Sequence, residues 1–198
     1  IQYEYYRNYL LTFGNDVPRV VLGEILNYEQ PTKYIVSSTK YDSSYETPVL
    51  TAGQSFVLGY TDEKSGIYRA SSNKPVIIFD DFTTSFHWVD FDFKVKSSAM
   101  KMLTVRNNSV ALLRYLYHLM KTIIYKPENH SRQWIEKYSK FSVPLPPLEE
   151  QARIVSLLDR FDELTAGLSS GLPAEIAARR QQYAYYRDRL FSFLEARA

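Results

Sequence analysis

Two adjacent carboxylates, Asp80 and Asp81, follow the apolar run 76–79 within the stretch IIFDDFTTS. A carboxylate pair at a strand end can hold Mg²⁺ and support phosphodiester hydrolysis. Such a site also needs a further acid and a nearby lysine in a recognisable pattern, and none assembles around this pair. Asp80, Asp81, Thr83, Thr84 and Ser85 can instead satisfy backbone groups in a tight connection. A carboxylate can also accept from the cytosine amino group in a DNA major groove. His87, beside Trp88, has no acid–nucleophile pair near it in sequence and reads as a packed or surface residue. The chain has no G-x-x-x-x-G-K-[ST], G-x-G-x-x-G or H-E-x-x-H pattern. Zero cysteines exclude thiolate catalysis, thiolate metal sites and a disulfide scaffold, and fit a reducing cytoplasm. No cofactor is expected for the chain itself.

The second chemistry is electrostatic. The net charge of +2 is unevenly spread: residues 93–140 hold 10 Lys/Arg against 2 Asp/Glu, whereas residues 14–92 hold 6 against 11. A concentrated basic segment inside a near-neutral chain is either a polyanion footprint or a solvated basic surface. Lys94, Lys96, Lys101 and Arg106 open this segment. Arg114, Lys121, Lys126, Arg132, Lys137 and Lys140 continue it, with Tyr115, Tyr117, Tyr125, Trp134 and Tyr138 between them. Cations neutralise phosphates without reading sequence, which requires forked, amide or hydroxyl side chains presented from loops. The polar, aromatic loop 37–46 (SSTKYDSSYE) suits that role, with Lys33 and Tyr34 before it and Lys40, Tyr41 and Tyr45 within it. Gln54, Tyr60 and Arg69 are further candidates. The stretch DEKSG at 62–66 reads as a surface turn.

These residues must be carried by a domain of mixed secondary structure. Strand-like runs occur at 33–37, 47–51, 66–70, 75–79 and 91–95, broken by turn-rich stretches at 61–66 and 71–74. A short helix is expected at 21–26 and a longer one at 109–123, where Asn107, Asn108 and Ser109 offer N-caps. Strands and helices do not alternate regularly. The pattern therefore predicts an α+β domain over 14–145, with an irregular, mostly antiparallel sheet and helices packed on it. The apolar runs are short, so no membrane span is expected.

Both ends carry one repeated unit. QYEYYRNYLLTF at 2–13 returns as QYAYYRDRLFSF at 182–193, identical at seven of twelve positions. The chain begins at Ile1 and reads as a piece of a longer parent in which a unit of this length recurs, residues 1–13 being the end of the preceding helix. Leu172, Ile176, Arg179, Tyr183, Tyr186, Leu190 and Phe193 fall in alternating steps of four and three, all but Arg179 apolar or aromatic, a coiled-coil seam, and Tyr3, Tyr6 and Leu10 repeat it. Upstream, Ile154, Leu158 and Phe161 mark another amphipathic helix. Pro146 and Pro147 precede it, and Glu149 and Glu150 place negative charge at its start. Ser169, Ser170, Gly171 and Pro173 read as a junction, so 146–198 is expected to form two long helices. The second would be about 37 Å long at about 1.5 Å per residue. Its tyrosine stripe calls for a partner helix.

The stretches FSVPLPPLEEQARIVSLLDRFDEL and LPAEIAARRQQYAYYRDRLFSF resemble the conserved region at the end of specificity subunits of type I restriction–modification enzymes. PVLTAGQSFVLGYTDE and IIFDDFTTSFHWVDFDFKVKSSAMKML are similar to one lineage of their target recognition domains. The resemblance covers essentially the whole chain. It implies a subunit in which two recognition domains, joined by paired antiparallel helices, each read half of a split double-stranded DNA target. Methyl transfer and ATP-driven translocation and cleavage would belong to separate methylation and restriction subunits. A complete subunit would be about twice as long, so the chain corresponds to one recognition domain with its helices, able to pair with a second copy or another half. The spacer role carries over to 148–168 and 172–193, and that of its partner copy to 2–13. No base contact carries over residue by residue. The expectation is a non-catalytic DNA-recognition chain. The rivals are a metal-dependent nuclease using Asp80 and Asp81, and an assembly module that binds no DNA.

Overall fold

The computed structural model describes residues 2–53, 55–127 and 131–195, with side chains at all of these except 2, 165–178 and 187–195. The chain divides into two units, Ile1–Val155 and Ser156–Ala198. The first opens with helix α1 (Gln2–Leu10), strand β1 (Arg19–Val21), the one-turn helix α2 (Leu22–Ile25) and β2 (Leu26–Glu29). A 3-10 turn at Pro31–Tyr34 leads by a long loop to β3 (Thr47–Leu50) and β4 (Val57–Thr61). Then follow β5 (Val76–Asp80), β6 (Phe86–Val89), β7 (Lys94–Val95) and β8 (Met100–Val105). The unit is completed by α3 (Leu113–Met120), α4 (Gln133–Glu136), β9 (Ser142–Pro144) and the start of α5 (Leu148–Glu195).

The strands form three sheets: a four-stranded antiparallel sheet β2-β8-β5-β6, a small sheet β4-β3-β7, and the pair β1-β9. In the small sheet β3 pairs antiparallel with β4 and parallel with β7. The run Val76, Ile77, Ile78 and Phe79 is wholly buried, as expected of a strand covered on both faces. Period-two alternation explains how. Val76 and Ile78, with Met100 and Met102 of β8, join a core with Leu50 and Val95 of the small sheet and the adjacent Phe93. Phe79 faces the other way, its ring centroid 5.3 Å from that of Trp134 and 4.9 Å from that of Tyr138. The large sheet is thus a middle layer between the small sheet and a helical, aromatic layer.

Lys101 lies on the helical side of β8, and its ammonium has to be neutralised there. It is fully buried, 3.0 Å from the Oδ2 of an equally buried Asp81, and donates to Gln30 Oε1 at 3.1 Å. Asp81 Oδ1 accepts the Trp134 N–H at 2.8 Å, and Oδ2 also accepts from Arg132 at 3.3 Å. Its backbone is used as well, donating to Ala99 O and accepting from the Gln133 N–H. One residue after β5 therefore holds β8 and α4 together. Asp80 acts locally instead. Its Oδ1 accepts the N–H groups of Phe82 and Thr83 at 2.8 and 2.9 Å, closing the turn into β6.

Several expectations are corrected. Residues 33–37 and 66–70 are not strands; each makes a single bridge, Ile35 to Val95 and Tyr68 to Phe93. The helix expected over 109–123 is trimmed to Leu113–Met120. Asn107 Oδ1 takes the Ser109 N–H into a turn, and the first free helix amide, on Leu112, is met instead by Gln151 Oε1 at 2.9 Å. Gln151 also donates to Val110 O and Pro146 O, so one buried amide ties α5 to the chain entering α3. Helix α5 begins at Leu148, where the prolines and glutamates place it, and is unbroken across 169–171, where a junction was expected. The Ala-, Glu- and Arg-rich run after Pro173 has the helix propensity to offset one missing hydrogen bond. Within the second unit Leu158 is buried, Phe161 half-buried, and Tyr183 and Tyr186 are exposed. In the first unit Ile154 is buried, Tyr3 and Leu10 are half-buried and Tyr6 is exposed. The seam positions Leu172, Ile176, Leu190 and Phe193 lie outside the described side chains.

Removing Asp81 leaves a buried lysine unpaired and the Trp134 amide unmet. Asp81→Ala should lower stability by about 3–5 kcal/mol in urea denaturation. Asp80→Ala, which loses only a half-buried turn, should lower it by about 1 kcal/mol. Equal losses would contradict the division of labour between the two carboxylates.

Candidate nucleic-acid interface

The strongly basic stretch 93–140 does not fold into one stripe. Lys101 is internal, on Asp81, and Lys94 is 3% exposed. These two residues therefore leave the set of candidate DNA contacts; strand alternation and a nearby carboxylate, invisible in the charge count, take them inside. The Arg106 guanidinium is at the surface but donates to Leu26 O and Gly23 O at 3.2 and 3.1 Å, fastening α2 to β2. Arg114 lies over the rings of Trp88 and Tyr117, at 4.7 and 5.0 Å, and Lys121 over Tyr117 at 4.4 Å. Arg132 is held by Asp81.

The polar candidates gather on the other side, on the outer face of the small sheet. In its register Val49 of β3 pairs with Gly59 of β4 and with Lys94 of β7, so these three positions share a face. Residues 37–46 fold over that face as a flap. At Gly59 a side chain would collide with the flap: a Cβ there would stand 2.6 Å from Tyr41 Cβ. Tyr41 packs in this space, half-buried, with the Lys96 ammonium 5.9 Å from its ring centroid. Its hydroxyl is buried and makes no hydrogen bond among the described residues, so Tyr41 acts as packing here.

The flap is tied at three places. Val36 N–H donates to Val95 O at 2.9 Å, and Asp42 N–H to Tyr60 O at 3.1 Å. Between them, Glu63 Oε1 accepts the N–H groups of Ser37 and Ser38 at 2.8 and 3.0 Å. The second oxygen of Glu63 meets Lys94 Nζ at 2.7 Å, and that ammonium also donates to Ser65 O at 2.8 Å. Gly66, at φ +60°, lets this turn close: a Cβ there would fall 2.5 Å from Lys33 O. The 62–66 segment, read from sequence as a plain surface turn, thus anchors the flap. Burial pushes the Glu63 carboxyl up, but Lys94 and the Ser38 and Ser37 amides more than offset this, and it ends below the usual carboxylate range. Within the flap Asp42 Oδ1 accepts from Ser44 N–H and Oγ at 2.8 and 2.7 Å, which holds its carboxyl low.

The remaining candidates surround this flap in sequence or sheet. Lys40 is exposed and Tyr45 half-buried, its N–H on Asp42 O. Lys33 is exposed but paired with Glu29 at 2.9 Å, and Tyr34 donates to the same Glu29 oxygen at 3.0 Å while its ring edge packs on Tyr68. Arg69 forms an ion pair with Asp92. Gln54 lies outside the described residues. His87 supports the neighbouring turn, its Nε2 3.0 Å from Gly53 O and its ring against Phe56. Sequence reasoning missed Gly59, Glu63 and Gly66. Only the two glycines carried a signal, since glycine inside a strand or turn marks close backbone approach.

The model of the type I restriction modification DNA specificity domain matches residues 15–178. The chain belongs to this family. The specificity subunit of the type I restriction enzyme EcoR124I/EcoR124II of Escherichia coli is 50% identical over 191 residues, covering 92% of this chain and 46% of the relative. A putative type I specificity subunit of Haemophilus influenzae is 28% identical, over 97% of this chain and 52% of the relative. The specificity domain therefore spans about half the length of the curated relatives it matches. Its fold is shared with the type I S subunit of M. genitalium, at a TM-score of 0.60 and 14% identity over 81% of this chain and 43% of that one. The HsdS subunit of Thermoanaerobacter tengcongensis matches at 0.52 and 19%, over 86% and 46%. The mixed, largely antiparallel architecture is that of these subunits. Among the described residues no helix is long and apolar enough to cross a membrane.

The Glu63 carboxyl titrates lower in the folded domain than in the unfolded chain. Its contribution is therefore complete above the unfolded value and lost as pH falls through the depressed folded one. Stability followed by urea denaturation from neutral to acid pH should decline in that window, and Glu63→Gln should flatten the decline. An unchanged acid limb in Glu63→Gln would contradict the anchoring role.

Proposed function

We propose that this specificity domain reads one half of a bipartite double-stranded DNA target and is not itself an enzyme. The observation that carries this reading is the family match across residues 15–178 in a chain whose polar flap folds over the outer face of the small sheet with Lys40 and Lys96 exposed. Lys40 and Lys96 supply phosphate contacts there, Lys33 and Arg69 can exchange an exposed carboxylate for phosphate, and the flap supplies hydrogen-bonding side chains. The methylation and restriction subunits of a type I system would supply methyl transfer and translocation. A nuclease using Asp80 and Asp81 is disfavoured by geometry, because a backbone turn, a buried lysine, an arginine and a helix amide occupy those oxygens.

The helical region 146–198 serves, on this reading, as spacer and docking element. Two features support it: the repeat of 2–13 at 182–193, and exposed aromatic side chains in both copies. Tyr6 is 48% exposed and Tyr183 is 71% exposed, an unusual waste of apolar surface in a helix with no partner. The partner is a second copy of this chain or the other half of a longer subunit, with the helices paired as a coiled coil. Assembly in a cytoplasmic type I complex follows from the same reading.

Two measurements test these proposals. Affinity for a scrambled duplex should fall steeply with salt, and Lys40→Gln and Lys96→Gln should each reduce the slope of log affinity against log salt by about 1. Absence of salt-sensitive binding at low salt would favour the assembly module. Tyr183→Asp should abolish helix-mediated association while leaving the urea transition of the recognition domain unchanged. Undiminished association at the same concentration would overturn the coiled-coil assignment.

A further inference from the structure

We infer that residues 37–46 are the segment that selects the DNA sequence, and that Glu63, Lys94 and Gly59 are positioning residues that hold it in one shape before DNA arrives. The inference rests on the proposed DNA recognition and adds where the selectivity resides. Cations on a surface attract any duplex equally, so discrimination must come from polar side chains held in register with base edges. The flap carries such groups outward: Thr39, Lys40, Asp42, Ser43 and Ser44 are all exposed. A ten-residue loop without regular structure would ordinarily spend its binding energy on becoming ordered.

Here the ordering is already done, and by residues outside the loop. Lys94 is buried and Glu63 half-buried, yet the partners of this pair are loop and turn backbone rather than the hydrophobic core: two flap amides and Ser65 O. A charge pair placed there contributes little beyond an apolar pair of similar size as far as stability goes. What it does supply is geometry, two directed acceptor bonds that fix where the flap leaves the sheet. Gly59 does the same from below, leaving a site that the Tyr41 side chain fills. Lys96, above that ring, is then set beside the flap to meet a phosphate.

The test selects a pool of randomised duplexes on the full polypeptide purified with the subunits it assembles with, and measures affinity for a scrambled duplex in parallel. Lys94→Met and Gly59→Ala are compared with the parent. The second keeps every charge and only forces Tyr41 out of its place, so it decides the matter if Lys94→Met does not fold. Hydrogen exchange at Ser37 and Ser38 reports whether the flap has loosened. The expected result is that the preference for the selected sequence over the scrambled duplex falls by about tenfold or more. Scrambled-duplex affinity and its salt slope should stay as in the parent. A general loss of structure would lower both affinities together. An unchanged selected sequence and preference in Gly59→Ala would overturn the inference, whether or not the two amides exchange faster. If the parent itself selects no sequence and shows no salt-sensitive affinity, the proposed DNA recognition fails instead, a distinguishable outcome.

Discussion

The buried contact between Asp81 and Lys101 is the constraint around which the specificity domain is arranged. A lysine in the middle of β8 is tolerable inside the protein only with a carboxylate beside it, and the residue following β5 provides one. Once that carboxylate is fixed, it also determines where the chain carrying Trp134 lands, because its second oxygen accepts that residue's amide. Trp134 and Tyr138 then close over Phe79. An apolar pair in place of the ions could be as stable, but it would not fix the register of a four-residue helix on a sheet. The pair's value lies in specifying one arrangement, and it removes both groups from any chemistry at the surface.

With one face of the large sheet committed to that aromatic layer, the other is left to carry the small sheet, whose outer surface is free to be functional. The cations divide accordingly. On the helical side Arg114 and Lys121 lie over aromatic rings, where attraction to the π face partly replaces hydration. On the small-sheet side Lys40 and Lys96 are exposed, and Lys96 stands farther from its ring, 5.9 Å from the Tyr41 centroid. A net count of charge over residues 93–140 merges both populations with the two internal lysines. The surface available to a polyanion is therefore smaller, and more sharply placed, than the count suggests.

What was legible in the sequence follows the same physics. The run at 76–79 declared a buried strand because it needs no partner to be read, and the proline and glutamate signals placed the start of α5. Strand β8 was not legible: MKMLTV has a lysine at its second position, and the carboxylate that makes it a core residue is 20 positions away in sequence. Strand β4 was missed because its glycine lowers strand propensity, although that glycine is present to admit Tyr41. The runs at 33–37 and 66–70 alternate like strands but find only one bridging partner each. At the candidate interface, residue type singled out the 37–46 loop, while its anchors stayed hidden. Glu63 in a DEKSG turn has the composition of solvent-exposed sequence, and only the fold brings two amides and a lysine to it.

The most recognisable stretch of the chain, PLPPLEEQ, has a structural use that does not depend on which bases are read. Gln151 meets three backbone groups, on Val110, Leu112 and Pro146, and so splices the recognition domain to the start of α5. The flap is organised in the opposite sense. Its anchors lie in other segments, and within it Thr39, Lys40 and Ser43 contribute no side-chain hydrogen bond to its shape among the described residues. Those side chains can be exchanged without disturbing the carboxylate, the lysine or the glycine that hold the backbone. A domain built this way separates the residues that must stay for the fold from those that can change with the target. On the proposed reading, that separation is the physical condition for one scaffold to serve many DNA sequences.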